Sequence, residues 1–229
     1  MKAFVINLER NAERMAFMRG QLDRLGIPFE RLNAIYGKGL SAAERRRDFA
    51  RIRSFLAAGK RLSESEIGVA LSHLGCYRRM IEEKLPYALV FEDDVVLLDG
   101  FTEAVKRVEA FLDVSRAQIV VFSGYGVEGA ERLPVEIRRE RSLWCADAYC
   151  ITLPAAQLIV KANYPVRTVA DSFKRWRRFF GLELYRSLPS TARQDDVRFG
   201  SENEILPKSN WLLRNLLWLA DRFLLLFHR

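Results

Sequence analysis

Runs of apolar and polar residues at the start of the chain predict a strand, a helix and a second strand. Residues 3–8 have the length and composition of a short buried strand, and residues 29–34 predict another. Between them lies a helical repeat of apolar side chains at Met15, Met18, Leu22 and Leu25. Asn11 is placed to cap this helix. A strand–helix–strand opening is typical of nucleotide-binding α/β folds, although the chain contains neither the GxGxxG motif nor the GxxxxGK phosphate loop.

The middle of the chain continues this alternation of helices and strands. A capping box at Ser63 and Glu66 predicts the start of a helix that runs to about Glu83. Pro154 suits the first turn of a later helix. Further helices are predicted over 42–58 and 102–112, and strands over 88–91, 118–123 and 144–153. Beyond Pro165 the periodicity weakens, and no regular element is assigned before residue 211.

The last segment has a different pattern. From 211 to 227 nearly every residue is apolar, and the polar residues recur seven apart, at Arg214, Asn215, Asp221 and Arg222. That spacing leaves one narrow polar stripe, which is typical of a helix lying in a membrane interface. The alternative is a helix packed on its own domain or on a second subunit. We therefore predict one domain over residues 1–207 and an amphipathic membrane-interface helix over 208–229.

Charge and cysteine content indicate which partners the protein binds and in which cellular compartment it lies. The chain has a formal charge of +8, and residues 167–229 carry +5 of it. This basic C-terminal quarter predicts an anionic partner, such as phosphate groups or a membrane surface. Nucleic acid is disfavoured, because no zinc-finger, helix-turn-helix or RRM frame surrounds the basic residues. Three cysteines without metal-ligand spacing, and no signal peptide, predict a cytoplasmic protein, bound peripherally to the inner face of the cytoplasmic membrane.

Three consecutive carboxylates, Glu92, Asp93 and Asp94, follow a predicted buried strand and are the strongest candidates for chemistry. Adjacent acids in a dry crevice repel one another, and a divalent metal, Mn²⁺ or Mg²⁺, would neutralise them. Side chains alternate along a strand, so Glu92 and Asp94 lie on one face and Asp93 on the other. We predict Glu92 and Asp94 as the metal ligands and Asp93 as a residue that orients the phosphate-bearing ligand, the donor of the transferred group. The pattern resembles the D-x-D sites of sugar-nucleotide enzymes, with glutamate in the first position. The alternative is a solvated turn.

Two further motifs carry candidate binding residues. Arg10 and Arg14 lie on one side of the first helical turn, where they either bind phosphate or a uracil ring or form surface ion pairs with neighbouring glutamates. Gly68 lies inside a predicted helix at a cost of about 1 kcal/mol relative to alanine, and therefore predicts the close approach of a chain segment or a ligand. His73 follows on the same helix. A lone histidine of this kind is more often a satisfied core residue.

These motifs occur in a fixed order along the chain. VINLERNAERM and IPFERLNAIYG come first, SESEIGVALSHLGCYRRMIEE follows, and YALVFEDDVVL ends the series. Together they resemble glycosyltransferase family 25 of lipopolysaccharide biosynthesis, over about the first 100 residues. The resemblance continues weakly at residues 146–152, where Asp147 replaces the histidine that the family tends to have, and at residues 169–173.

The resemblance implies a GT-A-like, Rossmann-type mixed sheet flanked by helices, here with the C-terminal amphipathic helix added. It also implies inverting transfer of a hexose, often galactose, from a UDP-sugar to a lipopolysaccharide or lipooligosaccharide acceptor. Such a reaction needs a base for the attacking hydroxyl and a metal for the leaving diphosphate. We predict Asp171 as the base. The residues predicted to bind the donor, besides Asp93, are Asn7, Arg10, Arg14, Ser72 and His73.

Two other functions use some of the same features. A metal-dependent nucleotidyltransferase or phosphohydrolase would use the same carboxylates, but such enzymes normally show further acids or histidines at several strand ends. A non-catalytic basic membrane adaptor would explain the C-terminal segment but not the acidic strand end. On this comparison, the residues 1–207 are predicted to form a glycosyltransferase catalytic domain.

Overall fold

The protein folds as a mixed β-sheet with helices on both faces, in a computed structural model that describes residues 1–124, 134–199 and 220. The strands of this part are β1 (Lys2–Asn7), β2 (Phe29–Asn33), β3 (Tyr87–Glu92), β4 (Val95–Leu97), β5 (Gln118–Val121), β6 (Glu136–Arg139), β7 (Ala148–Thr152), β8 (Glu183–Leu188) and β9 (Ala192–Gln194). The helices are α1 (Ala12–Arg24), α2 (Ala42–Asp48), α3 (Arg51–Ala58), α4 (Glu64–Glu82), α5 (Phe101–Phe111), α6 (Leu153–Asn163), α7 (Phe173–Phe180) and α8 (Asp196–Phe199). The mixed α/β architecture predicted from the sequence is confirmed.

Strand direction brings the ends of several strands to one edge of the sheet. The strand order is β2-β1-β3-β7-β5-β8-β6, with β4 and β9 in a separate pair. Strands β1, β2 and β3 run parallel, β7 is antiparallel to β3 and β5, and β8 runs parallel to β5. The carboxyl ends of β1, β2, β3, β5 and β8 therefore meet the amino end of β7. We call this the carboxyl edge.

Each face of the sheet is buried by its own set of helices. Alternate side chains of β1 show the division, because Phe4 and Ile6 join the core beneath α4, α6 and α7, whereas Ala3 and Val5 join the core beneath α1 and α5. This is the burial expected of a sheet covered on both faces, and it explains why β1, β3, β5 and β7 read as nearly continuous apolar runs. Among the described residues, no helix is both long enough and apolar enough to cross a membrane.

The structure corrects three predictions of secondary structure. Residues 42–58 form two helices instead of one, because the backbone at Phe49 and Ala50 turns aside to bond Val166: the Ala50 amide donates to the Val166 carbonyl at 3.0 Å. The strand predicted from residue 144 begins only at Ala148. Asn11 occupies the N-cap position of α1 but makes no side-chain cap bond.

The late part of the described chain contains elements that the weak periodicity did not predict. Helix α7 is one of them, although it has a clear buried side, since Phe173 and Trp176 are at most 1% exposed. Burial of each aromatic ring contributes roughly 1.5–3 kcal/mol to the free energy of unfolding. Strands β8 and β9 follow, and α8 ends at Phe199. The predicted helix over 208–229 lies outside the described residues, apart from residue 220.

Candidate active site

Four carboxylates come together at the carboxyl edge. Glu92 ends β3, and Asp93 and Asp94 form the turn that follows it. Asp147 immediately precedes β7, the strand that pairs with β3. Asp93, Asp94 and Asp147 are only 7%, 6% and 3% exposed. The Glu92 amide donates to the Asp147 carbonyl at 2.8 Å, which fixes the two chain segments together. The acidic triplet is therefore a buried cluster instead of a solvated turn.

Arg14 supplies a positive charge to this cluster from α1. Its Nη1 lies 3.2 Å from Asp93 Oδ1 and 3.3 Å from Asp94 Oδ2, and its Nη2 donates to the Phe199 carbonyl at 2.9 Å. Of the two alternatives for Arg14, the inward contacts with Asp93 and Asp94 favour a role in the site over surface ion pairing with neighbouring glutamates. Instead, Glu13 pairs with Arg198 at 3.3 Å. Arg14 thus partly neutralises two carboxylates that repel each other.

Asn7 holds Asp93 from the end of β1. Its Nδ2 donates to Asp93 Oδ2 at 2.6 Å and to the Asn11 carbonyl at 2.9 Å, and its Oδ1 accepts from Arg31 Nε at 2.9 Å. The side chain is 1% exposed and its amide is committed to these bonds. Asn7 therefore positions Asp93, and any effect of Asn7 on a donor passes through that carboxylate.

Asp94 carries a buried carboxylate oxygen that has no hydrogen-bond partner among the described residues. Its Oδ2 accepts from Gln194 Nε2 at 3.2 Å and contacts Arg14, whereas its buried Oδ1 has no hydrogen-bond partner in the described part of the chain. Burial raises the pKa of this carboxyl, and the neighbouring Asp93 adds to the shift. An unpartnered buried oxygen of this kind fits a ligand that supplies positive charge.

A divalent metal fits this geometry through Asp94. Within the described ranges, no three His, Cys, Asp or Glu side chains are arranged to hold a metal ion by themselves. An ion that bridges a diphosphate needs only one or two carboxylates, because phosphate oxygens and water complete its coordination. Asp94 Oδ1 meets this requirement, and Asp93 lies beside it. Glu92, the other predicted ligand, faces a different partner.

Glu92 faces His73 on α4. Glu92 Oε1 lies 3.2 Å from His73 Nε2, and His73 Nδ1 lies 2.7 Å from the Tyr149 hydroxyl, which in turn bonds Tyr77 at 2.7 Å. Burial lowers the pKa of His73 to about 3, so the ring is neutral, and Nε2 donates to Glu92 when Nδ1 accepts from Tyr149. Burial, with Asp94 and Asp147 nearby, raises the pKa of Glu92. His73 thus orients Glu92.

Ser72 shapes the wall of the cleft from the same helix. Its hydroxyl donates to the Gly68 carbonyl at 2.7 Å and accepts from the Ile35 amide at 2.8 Å. A β-carbon on Gly68 would lie 2.5 Å from the Ile35 carbonyl oxygen, so the close approach predicted at this glycine is that of a chain segment. The segment brings Tyr36 to the cleft with 43% exposure, and Arg10 stacks over its ring at 4.1 Å.

Asp171 lies two residues before α7, which packs on the same face of the sheet as α4 and α6. Its Oδ2 accepts from the Cys145 amide at 3.5 Å, and burial raises its pKa. It is near enough to Glu92 for its charge to raise the pKa of that residue. The site therefore brings Glu92, Asp93, Asp94, Arg14 and His73 together, with Asp171 at its margin.

Several residues of the site were not predicted from the sequence. Tyr36 is one of them, and its position directly before Gly37 and Gly39 is the only signal of it in the sequence. Gln194 and Phe199 belong to the region of weak periodicity, and only the pairing of β9 with β4 brings them to Asp94 and Arg14. Arg31 gave no signal, because its role depends on the register Asn7–Asn33 between β1 and β2.

Comparison with known proteins gives a consistent family assignment. The family model described as Glycosyltransferase family 25 (LPS biosynthesis protein) matches residues 1–174. The lacto-N-neotetraose biosynthesis glycosyltransferase LgtE of Neisseria meningitidis serogroup B is 36% identical over 225 residues, which cover 90% of this chain and 79% of that protein. LgtB of the same organism is 34% identical over 100 residues, covering 44% of this chain and 35% of LgtB.

One solved structure also resembles this fold at low identity. It is a glycosyltransferase involved in the glycosylation of the major capsid of PBCV-1, with a TM-score of 0.40 and 8% identity, and the alignment covers 97% of this chain and 98% of that one. A similarity at this TM-score supports no argument about the site.

Proposed function

Because the chain belongs to glycosyltransferase family 25, we propose that it is an inverting transferase that moves a hexose, galactose in our assignment, from a UDP-sugar to a lipopolysaccharide or lipooligosaccharide acceptor. The observation that carries the proposal is the buried acid cluster at the carboxyl edge, in which Arg14 contacts Asp93 and Asp94 while Asp94 Oδ1 has no hydrogen-bond partner among the described residues. Ligands bind at this edge in α/β sheets.

The donor is proposed to occupy the cleft between β1, β3, α4 and the segment that carries Tyr36. Arg14 supports this, since its guanidinium brings a positive charge to the cleft beside the acid cluster, where it attracts the phosphate groups of the donor. Tyr36 supports it too, because an exposed aromatic ring at the cleft offers a stacking surface for the uracil base. Asp93 is held by Asn7 and Arg14, which suits a residue that orients a polar group of the donor.

The metal is proposed to be Mn²⁺ or Mg²⁺, held by Asp94 with Glu92 as the second predicted ligand. When bound, such an ion neutralises charge on the leaving diphosphate. The protein's own contribution is to keep Asp94 oriented through Gln194 and Arg14 and to keep Glu92 oriented through His73. The contact with His73 favours Asp94 over Glu92 as the principal ligand.

Asp171 is proposed to accept the proton of the attacking hydroxyl. Burial raises the pKa of Asp171, which makes its carboxylate a better proton acceptor than an exposed aspartate. The residue lies beside the basic and aromatic helix α7, which has Lys174 exposed and Arg175 and Arg177 half-buried. We propose that the acceptor approaches from this side. Peripheral attachment to the inner face of the cytoplasmic membrane, through residues 208–229, would bring the glycolipid acceptor within reach.

A product assay tests this function against its rivals. The chain is incubated with UDP-galactose and a lipooligosaccharide acceptor, and the release of UDP, pyrophosphate and phosphate is measured separately. We expect acceptor-dependent release of UDP in the wild-type chain and a fall of about 10²-fold or more in Asp94→Asn, because one charge-stabilising group is lost. Asp99→Asn, at an exposed aspartate five residues away, is the matched control.

Other products would contradict the proposal. Release of pyrophosphate indicates a nucleotidyltransferase, and release of phosphate indicates a phosphohydrolase. Full activity of Asp94→Asn excludes the metal–diphosphate site even if the chain is a transferase. A screen of UDP-sugars with and without Mn²⁺ then identifies the donor and the need for the ion.

A further inference from the structure

A second polar site lies at the carboxyl edge, on the other side of Asp147 from Arg14. Arg186 extends from β8, and its Nε is buried without a hydrogen-bond partner in the described part of the chain. Across the described residues, no carboxylate forms an ion pair with its guanidinium. A half-buried arginine without a counter-ion is costly, since a desolvated charge needs compensation. Arg186 therefore requires an anion that the described residues do not provide.

Two neighbours of Arg186 complete the site. Ser190 is 8% exposed, and its hydroxyl also has no hydrogen-bond partner among the described residues. A β-carbon on Gly124 would lie 2.7 Å from Ser190 Oγ and 3.0 Å from Arg186 Nη1. The two side chains therefore meet at the backbone of Gly124. Glycine at position 124 permits this close packing, and Arg186 Nε and Ser190 Oγ are left as buried groups whose hydrogen bonds the described residues do not satisfy.

The nearby charges leave Arg186 as the cation of this site. Arg138 is its cross-strand neighbour on β6, but the guanidinium of Arg138 lies 3.0 Å from Glu140 and is neutralised there. Ser123 precedes Gly124 and donates its hydroxyl to Asp147. That bond occupies one oxygen of the Asp147 carboxylate, and among the described residues no ion pair joins Asp147 to Arg186. The site thus lies next to the acid cluster but offers a positive charge and hydrogen-bond donors, whereas the cluster offers carboxylates.

The position of Arg186 distinguishes it from the donor cleft. In the order β3-β7-β5-β8, three strand spacings separate Glu92 on β3 from Arg186 on β8. This amounts to about 14 Å across the sheet. A diphosphate held by Arg14 and Asp94 at the β1–β3 end does not span that distance. An anion bound by Arg186 therefore belongs to a different part of the substrate pair.

We infer that Arg186, Ser190 and Gly124 form a subsite for an anionic group, phosphate or carboxylate, on the acceptor saccharide. The inference rests on the proposed function, because it assumes that an acceptor binds beside the donor cleft. Arginine suits the role, since its planar fork binds either anion through two parallel hydrogen bonds and a lysine does not reproduce that geometry. Ser190 adds a third donor at the same point.

The test compares charged and neutral sugars as probes of the full chain. Affinities for glucose 6-phosphate, glucuronate and glucose are measured by ligand-observed NMR, and affinity for UDP is measured in parallel. We expect the wild-type chain to bind at least one of the two charged sugars at least 10-fold more tightly than glucose. The preferred one identifies phosphate or carboxylate as the natural group.

Variants assign that preference to the subsite. We expect Arg186→Met to abolish it, Arg186→Lys to retain only part of it, and Ser190→Ala to weaken it a few-fold, with UDP affinity unchanged in all three. Arg193→Met, which removes the same charge at an exposed position seven residues along, is the matched control and should behave as wild type. Melting temperatures establish that each variant is folded. If Arg186→Met does not fold, Arg186→Lys still tests the subsite.

Three outcomes would overturn the inference. One is equal affinity of the wild-type chain for charged and neutral sugars. Another is a charged-sugar preference that survives in Arg186→Met and Arg186→Lys. The third is loss of UDP affinity in these variants, which would assign the arginine to the donor diphosphate. Failure of the wild-type chain to bind UDP, in contrast, contradicts the proposed donor site, and the sugar comparison still decides the Arg186 subsite.

Discussion

At the scale of single residues, the acid cluster depends on buried amides that are not themselves exposed to the cleft. Asn7 is the clearest case, because one side chain joins Asp93, the first turn before α1, and Arg31. An amide can donate to a carboxylate through its nitrogen and accept from a guanidinium through its oxygen, whereas a carboxylate can only accept. An aspartate in the same place has the same shape but lacks the donor.

Asn7→Asp is therefore expected to lower both stability and activity. The new carboxylate would face Asp93 Oδ2, now 2.6 Å from the amide nitrogen, and lose that bond. We expect a fall of about 2 kcal/mol in the free energy of unfolding at pH 7, measured by urea denaturation, and a fall of about 10-fold or more in transfer rate. Asn33→Asp makes the same change at the exposed end of the neighbouring strand and should leave both unchanged. If Asn7→Asp and Asn33→Asp lowered stability and transfer rate equally, Asn7 would not be the residue that positions Asp93.

The assignment of Asp171 as the base leads to a second residue-scale prediction. We expect Asp171→Asn to lower kcat by about 10²–10⁴-fold with little change in the affinity for UDP, because only proton transfer is lost. Asp147→Asn is the informative comparison, since Asp147 is also buried and acidic but bonds Ser123. A larger loss of kcat in Asp147→Asn than in Asp171→Asn would move the base to Asp147.

At the scale of elements, α4 connects the core to the cleft and carries two glycines in very different surroundings. Gly68 lies against the backbone of Ile35 and Gly37, whereas a β-carbon on Gly75 would meet no atom within 4 Å. The same substitution on one helix should therefore have opposite effects at the two sites. This makes the pair a direct test of the close approach between α4 and the segment that carries Tyr36.

We expect Gly75→Ala to raise the free energy of unfolding by about 0.5–1 kcal/mol, because alanine has less conformational freedom to lose. We expect Gly68→Ala to lower it by about 1–3 kcal/mol, since backbone must move to admit the methyl group. Chemical denaturation measures both values. Gly68→Ala should also weaken UDP binding, because the displaced segment lines the cleft, whereas Gly75→Ala should not. A stabilising Gly68→Ala would exclude the steric account.

The junction between α2 and the segment after α6 gives an element-scale prediction with a pH dependence. Asp48 accepts from Arg47 at 2.9 and 2.7 Å and from the Tyr164 hydroxyl at 2.8 Å, and these bonds, Arg47 first, lower the pKa of Asp48 below 3.8. A lowered pKa stabilises the fold above the unfolded value, and that contribution is lost as pH falls through the folded value.

Asp48→Asn should therefore be less stable than wild type by about 1–2 kcal/mol at pH 7, and the difference should narrow towards pH 3. Urea denaturation at pH 7, 5 and 3 measures it. Asp99→Asn, at an exposed aspartate, should show no difference at any of these pH values. If the difference in the free energy of unfolding between wild type and Asp48→Asn were as large at pH 3 as at pH 7, the charge of Asp48 would not be what stabilises the junction.

At the scale of the whole molecule, the sequence predicts best those elements whose secondary structure is determined by their own residues. The opening strand, α1, α4 and the acidic end of β3 follow from local periodicity and capping residues. The break between α2 and α3 depends instead on Val166, and β4 depends on Gln21, whose buried amide bonds the Val95 carbonyl and the Leu97 amide, both at 2.8 Å. Such contacts join distant parts of the chain and leave no local pattern.

The candidate site shows the same division. Glu92, Asp93 and Asp94 could be selected from the sequence because a charged triplet after an apolar run is a local signal. That Glu92 faces His73 while Asp94 keeps an unpartnered oxygen follows only from how α4 and β9 pack beside β3. Arg186 and Ser190 could not be selected, because each is an ordinary residue until β8 lies beside β5.

Membrane attachment is a whole-molecule prediction that rests on the sequence of residues 208–229. We expect the full chain to float with vesicles that contain anionic phospholipid. The double change Leu217→Glu with Trp218→Glu should abolish flotation, because it places charge on the apolar side of the segment. Trp144→Ala, at a tryptophan that is 65% exposed in the described fold, is the control and should still float. Flotation of the double variant would point to a helix packed on the protein.

The bond between Arg14 and the Phe199 carbonyl joins residues 185 positions apart, and it sets an order of events during synthesis. Arg14 leaves the ribosome early, whereas Phe199 follows after roughly 10–40 seconds at 5–20 residues per second. Throughout that interval a nascent chain can form β1, α1 and the end of β3, but the guanidinium that bridges the two aspartates lacks its last anchor. Translation must therefore pass residue 199 before this bond can form and the arrangement of Arg14 seen in the folded chain can be completed.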